Sequence, residues 1–284
     1  MTGIDRDSIT ILFAGENAKA HGISNLELKC ASFEDIDVTP FDGLHFDPDR
    51  RVGQRTTSTS HFQPDLADIL KTVDPSRQTV GIKIAPASTL ADECSFPIER
   101  EWVGNSRECK QQIIWVGPEL KTSTIRCTVV GKDGTATSFC VSAKDDNCPA
   151  PPVSTFVGPY IYEPHATVLA AGLVYEIAAH HKLKALCPGI SWLNSDEILK
   201  GVEPLLKGYR VRGVFPVHLK SLAAELAEHD IGKLVVKKRG VDQVIVDRIS
   251  RLKLKGSKKG TLMVTRHGRH RRAILVDRIR DAGA

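Results

Sequence analysis

The stretch FDGLHFDPDRR at residues 41–51 decides the fold class. Residues 41–46 predict a short strand that ends at Asp47-Pro48, because proline lacks a backbone donor and interrupts strand pairing. Before it, residues 2–5 read as the end of a strand, residues 8–21 as a helix and residues 26–30 as a further strand. Strands and helices alternating at this spacing indicate an α/β domain with a mostly parallel sheet.

The next hundred residues continue this domain with more strands than helices. Residues 49–62 are polar and predict a long loop, whereas residues 65–72 predict a short helix. Strands are expected at 79–85, 99–103, 111–116, 125–130 and 135–141, and the glycines of residues 131–134 indicate a hairpin turn between the last two. Residues 145–152 are polar and rich in proline, which predicts a linker and domains at 1–150 and 158–284.

The second domain is predicted to be a compact α+β module. Its expected helices are 165–181, 219–229 and 242–251, and its expected strands are 211–217, 233–238, 260–266 and 271–276.

The two predicted domains also differ in charge. The net charge of the 284 residues is +5, but residues 200–284 contain 21 Lys and Arg against eight Asp and Glu. Between residues 233 and 272 there are 14 basic residues, two acidic ones and no aromatic side chain. This density favours binding of a polyanion through its phosphates rather than through base stacking, with a solubilising surface as the alternative.

Composition excludes several other classes of protein. The seven cysteines include no pair at CxxC spacing, so neither a disulfide framework nor a metal site is expected. No apolar run is long enough to span a membrane, and the first residues lack the features of a signal peptide. We therefore expect a cytoplasmic protein; the oligomeric state is left open.

Two acidic positions at strand ends are the candidates for chemistry. Asp5 is the last residue of the first predicted strand, where a carboxylate can accept hydrogen bonds from both hydroxyls of a ribose; the alternative is capping of the next helix, where Asp7 and Ser8 also lie. Asp47-Pro48 can hold an amino group near an electrophilic methyl group, or simply form a turn. The nearby Arg50, Arg51 and Arg55 are candidates for phosphate contact or for a solvated loop.

Several of these segments, in this order, resemble one family. The segment Gly3-Ile-Asp-Arg-Asp7 and the stretch 41–51 are similar to strand ends of class I S-adenosylmethionine-dependent methyltransferases. Residues 160–164 resemble the join to a C-terminal domain, and the sequence KKRGVD at 237–242 resembles part of a THUMP-like domain. The resemblance covers nearly the whole chain and implies a Rossmann-like methyltransferase sheet followed by a small α+β THUMP-like domain.

The resemblance also implies a cofactor, a substrate and their residues. S-adenosylmethionine is the implied cofactor, held by Asp5, Arg6, Ser32 and Phe33, with Asp47 and Pro48 near the transferred methyl; Ser32 stands where the family usually has an acidic residue. RNA is the implied substrate, with contacts expected from Arg50, Arg51, Lys237, Lys238, Arg239, Lys258, Lys259 and Arg271.

One part of the family pattern is missing. The family's first strand and its glycine-rich turn do not precede Met1, so we expect a truncated sheet in which residues 2–5 and 26–30 stand apart from the other strands. The alternative function is therefore a catalytically incomplete remnant that only binds RNA.

Overall fold

The computed structural model describes residues 1–50, 62–90, 94–106, 108–143 and 148–279. Two compact units are present, one formed by Met1–Ile98 with Ile114–Lys121 and the other by Glu99–Ile113 with Thr122–Ala284. The domain division predicted at residues 150–158 stays a prediction. Among the described residues, no helix is both long enough and apolar enough to cross a membrane.

The first unit begins with alternating strands and helices, as the sequence predicts. Its elements are β1 (Thr2–Asp5), α1 (Ser8–Ala20), β2 (Glu27–Cys30), a 3-10 turn (Phe33–Asp35), β3 (Gly43–Phe46), β4 (Asp49–Arg50), β5 (Phe62–Gln63), α2 (Leu66–Thr72) and β6 (Thr79–Ile84). Asp7 and Asp65 cap the two helices, each accepting a hydrogen bond from a backbone N–H of the first turn. Buried side chains of α2 and β6, including Ile69 and Ile82, form the core of this unit.

Strands β1 and β2 stand apart from the other strands, which the sequence also predicts. They pair with each other in parallel as a two-stranded sheet. A separate six-stranded sheet has the order β10-β9-β7-β8-β6-β3, with β3 at its edge and parallel to β6. Its other strands are β7 (Glu99–Asn105), β8 (Cys109–Val116), β9 (Thr124–Val130) and β10 (Ala136–Ser142), and β9 and β10 form the predicted antiparallel hairpin.

The second unit contains a seven-stranded sheet with the order β12-β13-β11-β14-β17-β16-β15. Its strands are β11 (Tyr160–Pro164), β12 (Lys184–Ala185), β13 (Leu193–Ser195), β14 (Leu206–Pro216), β15 (Ile231–Lys238), β16 (Lys258–His267) and β17 (His270–Arg278). The helices α5 (Leu219–Glu228) and α6 (Gln243–Ser250) bury Leu222, Leu226 and Ile249 with Leu262 and Leu275 of the sheet. The opposite face buries Trp192, Tyr209 and Ile274, among others.

The observed elements differ from the predicted ones in three places. The helix expected at 165–181 is two helices, α3 (Ala166–Ala170) and α4 (Val174–His180), because Gly172 takes a left-handed conformation with φ of +75° between them. The loop expected at 49–62 contains β4 and the first residue of β5, which pair antiparallel; the rest of that loop lies outside the described residues. Strands β11, β12 and β13 were not predicted; β12 and β13 are too short to show an alternating pattern.

Candidate functional site

A cleft of about 580 Å³ lies in the first unit, where it runs along β1 and β3 and includes the residues that follow their carboxyl ends. This volume is within the range of sites that hold small molecules. The cleft is lined by residues 1–6, 31–34, 43–49 and 63–64, with Ile36, Val38 and Phe41. All six residues predicted for the cofactor and for catalysis are among them: Asp5, Arg6, Ser32, Phe33, Asp47 and Pro48.

A hydrogen bond from the neighbouring backbone orients the side chain of Asp5 in the cleft. Its Oδ1 atom accepts a hydrogen bond of 2.8 Å from the backbone N–H of Asp7. Asp7 is the residue that caps α1, accepting from the backbone N–H of Ile9 and the hydroxyl of Thr10, and these bonds lower the pKa of Asp7. The capping role therefore falls to Asp7, and among the described residues Oδ2 of Asp5 has no hydrogen-bond partner.

Aromatic rings supply an apolar part of the cleft wall. The rings of Phe33 and Phe46 meet edge to face, with centroids 5.4 Å apart and an interplanar angle of 86°. Ser32, just before Phe33, precedes the 3-10 turn and forms no side-chain cap there. A flat, apolar surface next to hydroxyl and carboxylate groups suits a ligand that combines a heteroaromatic ring with a sugar.

Asp47 has a partner that sequence reasoning missed. Its Oδ2 atom lies 2.6 Å from Nζ of Lys83 on β6, the strand that pairs with β3. Both side chains are accessible to solvent, at 60% for Asp47 and 39% for Lys83. The pair reduces the negative charge of Asp47 at the cleft. No sequence signal pointed to it, because the neighbour of β3 in the sheet is a property of the topology.

The buried side chain of Gln78 holds a segment of the cleft wall in place, and sequence reasoning did not identify it either. Only 1% of this residue is exposed. Its side-chain amide donates to the backbone carbonyls of Val38 and Phe41, at 2.8 and 2.9 Å, and accepts from the backbone N–H of Asp74 at 2.8 Å. Val38 and Phe41 both line the cleft, so one buried amide holds the segment that leads into β3.

The predicted RNA-contacting residues have different surroundings. Arg50 belongs to β4, but its side chain is not among the described ones, and Arg51 lies outside the described residues. Lys238, Lys258 and Lys259 are exposed. Lys258 lies 3.6 Å from Asp230, and Arg271 lies 3.6 Å from Asp242, in two solvent-exposed ion pairs.

Lys237 and Arg239 differ from the others because they belong to an internal cluster around Glu163. The carboxylate of Glu163 accepts hydrogen bonds from Lys237, from the indole of Trp192 at 3.4 Å and from the hydroxyl of Tyr209 at 3.1 Å. Arg239 lies 3.8 Å from the same carboxylate and 5.7 Å from the centroid of Trp192. Burial raises the pKa of Glu163, but Lys237, Trp192 and Tyr209 lower it, and the net pKa is below its ordinary value.

Comparison with known proteins agrees with this architecture. Residues 206–278 match the THUMP domain-like family. Two uncharacterized S-adenosylmethionine-dependent methyltransferases of Mycobacterium tuberculosis, MT3122 (strain CDC 1551) and Rv3037c (strain H37Rv), are each 26% identical to the chain, over 94% of its length and 71% of theirs.

The fold itself has a solved counterpart. The crystal structure of a protein from Porphyromonas gingivalis W83, assigned as a methyltransferase, matches with a TM-score of 0.77 at 18% identity, covering 98% of this chain and 71% of that one. The chain therefore shares the fold of that structure, and residues 206–278 form its THUMP-like segment. The family resemblance predicted from the sequence is confirmed.

Proposed function

We propose that the chain is an S-adenosylmethionine-dependent methyltransferase that acts on RNA. The observation that carries the proposal is the convergence of Asp5, Ser32, Phe33 and Asp47-Pro48, which are far apart in sequence, on one cleft that includes the carboxyl ends of β1 and β3. Ligands of open α/β sheets bind outside the carboxyl ends of the strands. The relatives named as S-adenosylmethionine-dependent methyltransferases support the choice of ligand.

The residues of the cleft fit the cofactor. Asp5, oriented by the N–H of Asp7, would accept hydrogen bonds from the ribose hydroxyls, and Phe33 would pack against the adenine. When bound, the cofactor supplies an electrophilic methyl group. The Asp47-Pro48 turn, held beside β6 by Lys83, would orient the accepting group of the substrate, so that this chain contributes mainly proximity and orientation.

RNA is proposed as the substrate because of the basic C-terminal module. Residues 200–284 carry 21 Lys and Arg against eight Asp and Glu, and the THUMP-like segment lies within them. Neutralisation of phosphates by such a surface gives affinity that does not depend on sequence and falls steeply with salt. The atom that would be methylated is left open.

Isothermal titration with S-adenosylmethionine tests the proposed cofactor site. The wild-type chain is expected to show saturable binding, and Asp5→Ala to weaken it about tenfold or more, since a charged acceptor is lost. Asp35→Ala is the matched control, because it removes the same charge from a neighbouring exposed residue that does not line the cleft. Equal losses in both variants, or unchanged binding in Asp5→Ala, would contradict the proposed role of Asp5.

A second candidate function is RNA binding without methyl transfer. It is favoured by the separation of β1 and β2 from the six-stranded sheet, because strands β1 and β3 border the cleft without being paired to each other. This candidate predicts no S-adenosylmethionine binding by a chain that still binds structured RNA. Saturable cofactor binding would reject it.

A further inference from the structure

The turn between β16 and β17 concentrates positive charge within seven residues. Residues 266–272 read RHGRHRR, with four arginines, two histidines and no acidic residue. The two strands pair antiparallel, and Arg266 stands directly opposite Arg271. Gly268, with φ of +58°, allows the tight reversal that brings the two strands together. Both faces of the hairpin end therefore carry cations.

Most of this charge is uncompensated. Arg271 has an exposed ion pair with Asp242 at 3.6 Å. Arg266, Arg269 and Arg272 have no side-chain hydrogen bond or ion pair to any part of the chain that the structure describes. Like charges directly opposite each other destabilise an antiparallel pair, so this arrangement costs stability unless an anion binds there.

The hairpin is nevertheless held in place. His267 Nε2 lies 3.0 Å from the backbone carbonyl of Ser154, and the strands leading away from the turn are buried at Val264 and Ala273. A fixed backbone allows arginine side chains to contact an anion with little loss of entropy. Lys237 and Arg239 differ, since both contact the buried carboxylate of Glu163 and are less than one-third exposed.

We propose that the end of the β16–β17 hairpin binds the phosphates of double-stranded RNA through Arg266, Arg269 and Arg272, and that Lys237 and Arg239 support the fold without contacting RNA. This inference rests on the proposed function in RNA methylation. Guanidinium groups bind phosphate oxygens with two parallel hydrogen bonds. The hairpin contains no Phe, Tyr or Trp side chain, so recognition of the duplex backbone is favoured over stacking on single-stranded bases.

The test compares two triple variants of the full chain that remove the same charge. One is Arg266→Gln with Arg269→Gln and Arg272→Gln. The control is Lys233→Gln with Lys253→Gln and Lys255→Gln, three exposed lysines around the start of β16. Lys233 is paired with Lys259, which is about 23 Å from Arg266 along the strand, at 3.3 Å per residue. Binding of a fluorescein-labelled RNA stem-loop is followed by fluorescence anisotropy over a range of salt concentrations.

The arginine triple variant is expected to bind the RNA tenfold or more weakly at fixed salt. The magnitude of the slope of log K against log salt concentration should also fall by about 2 to 3. The lysine control is expected to change less than threefold. A further triple with lysine at 266, 269 and 272 should recover most of the affinity, because the charge remains. The melting temperature of the glutamine triple should equal or exceed that of the wild type, since like-charge repulsion is removed.

Three results would overturn the proposal. Equal losses of RNA affinity in the two glutamine triples would mean that only net charge matters. A loss of affinity in the lysine control alone would indicate that RNA binds at the start of β16. A lysine rescue that binds no better than the glutamine triple would exclude phosphate contact. In each of these cases the wild-type chain still binds RNA; a wild-type chain that binds no RNA would instead reject the proposed substrate itself.

Discussion

Glu163 on β11 accepts a hydrogen bond from Lys237 on β15, although β14, β17 and β16 lie between these two strands in the sheet. A flat sheet would separate them by about 19 Å, at 4.7–4.9 Å per strand. The contact therefore requires the sheet to coil back on itself, as twisted sheets can. Because Glu163 precedes residues 206–278 and Lys237 lies within them, the pair ties the THUMP-like segment to the strand before it.

Substitution Glu163→Gln should destabilise the second unit by about 2 to 3 kcal/mol. The side chains of Glu163 and Lys237 are 14% and 31% exposed, so the expected loss is below that of a fully buried pair. Urea unfolding measures it. The control Asp277→Asn breaks the exposed pair with Arg212 and should change the free energy of unfolding by less than about 0.5 kcal/mol. An equal effect of both substitutions would refute a special role for Glu163.

The contribution of Glu163 should disappear in acid. The pKa of Glu163 in the folded chain is below its ordinary value of 4.5. A carboxylate with a lowered pKa stabilises the fold above its unfolded pKa, and this stabilisation is lost as the pH falls through its folded pKa. The stability difference between wild type and Glu163→Gln should therefore be constant from pH 7 to about pH 5.5 and shrink below about pH 4.5. A difference that grows toward low pH would contradict this sign.

Substitution Gln78→Leu should cost about 2 to 4 kcal/mol, because it leaves the carbonyl of Phe41 and the N–H of Asp74 without their partner and removes one of the two hydrogen bonds to the carbonyl of Val38. Gln243→Leu is the control, since its single side-chain bond to Asp247 is on an exposed helix surface. Thermal unfolding and the affinity for S-adenosylmethionine are both measured. Since Val38 and Phe41 line the cleft, affinity should fall in Gln78→Leu even where the variant is folded.

Substitution Gly81→Ala should destabilise the first unit by about 1 to 3 kcal/mol. A Cβ atom at Gly81 would lie 2.9 Å from Cζ3 of Trp115, which belongs to a rigid ring, so the strand or the ring must shift. The control is Gly43→Ala on β3, where a Cβ atom would have nothing within 4 Å. Chemical denaturation measures the free energy of unfolding of both variants. A Gly81→Ala protein as stable as Gly43→Ala would show that the ring of Trp115 can shift at little cost.

Local patterns predicted most of the elements because each depends on few residues. Helices α1 and α2 begin after Asp7 and Asp65, whose side chains can satisfy a free N–H without help from the rest of the fold. The β9–β10 hairpin follows from the glycines of its turn. All six residues predicted around the cleft lie at the end of a predicted strand or within three residues after it, and strand ends of an α/β sheet converge on one edge.

Other features depend on which distant residues meet. Lys83 was predicted only as part of a strand, yet the pairing of β3 with β6 places it 2.6 Å from Asp47. Glu163 was part of a segment used only for the family resemblance, and the coiling of the sheet makes it the partner of Lys237 and Arg239. Charge density in sequence could not separate these two internal cations from the unpaired arginines of the β16–β17 hairpin.

The sequence by itself determined the order and type of most elements, the position of Asp5 and Asp47-Pro48 at strand ends, and the basic character of the C-terminal module. These properties depend on side-chain periodicity, turn residues and composition, which act over a few neighbouring positions. The tertiary structure alone decided that Asp47 is paired with Lys83, and which cations face solvent. Those outcomes depend on sheet order and curvature, which bring together residues as far apart as 163 and 237.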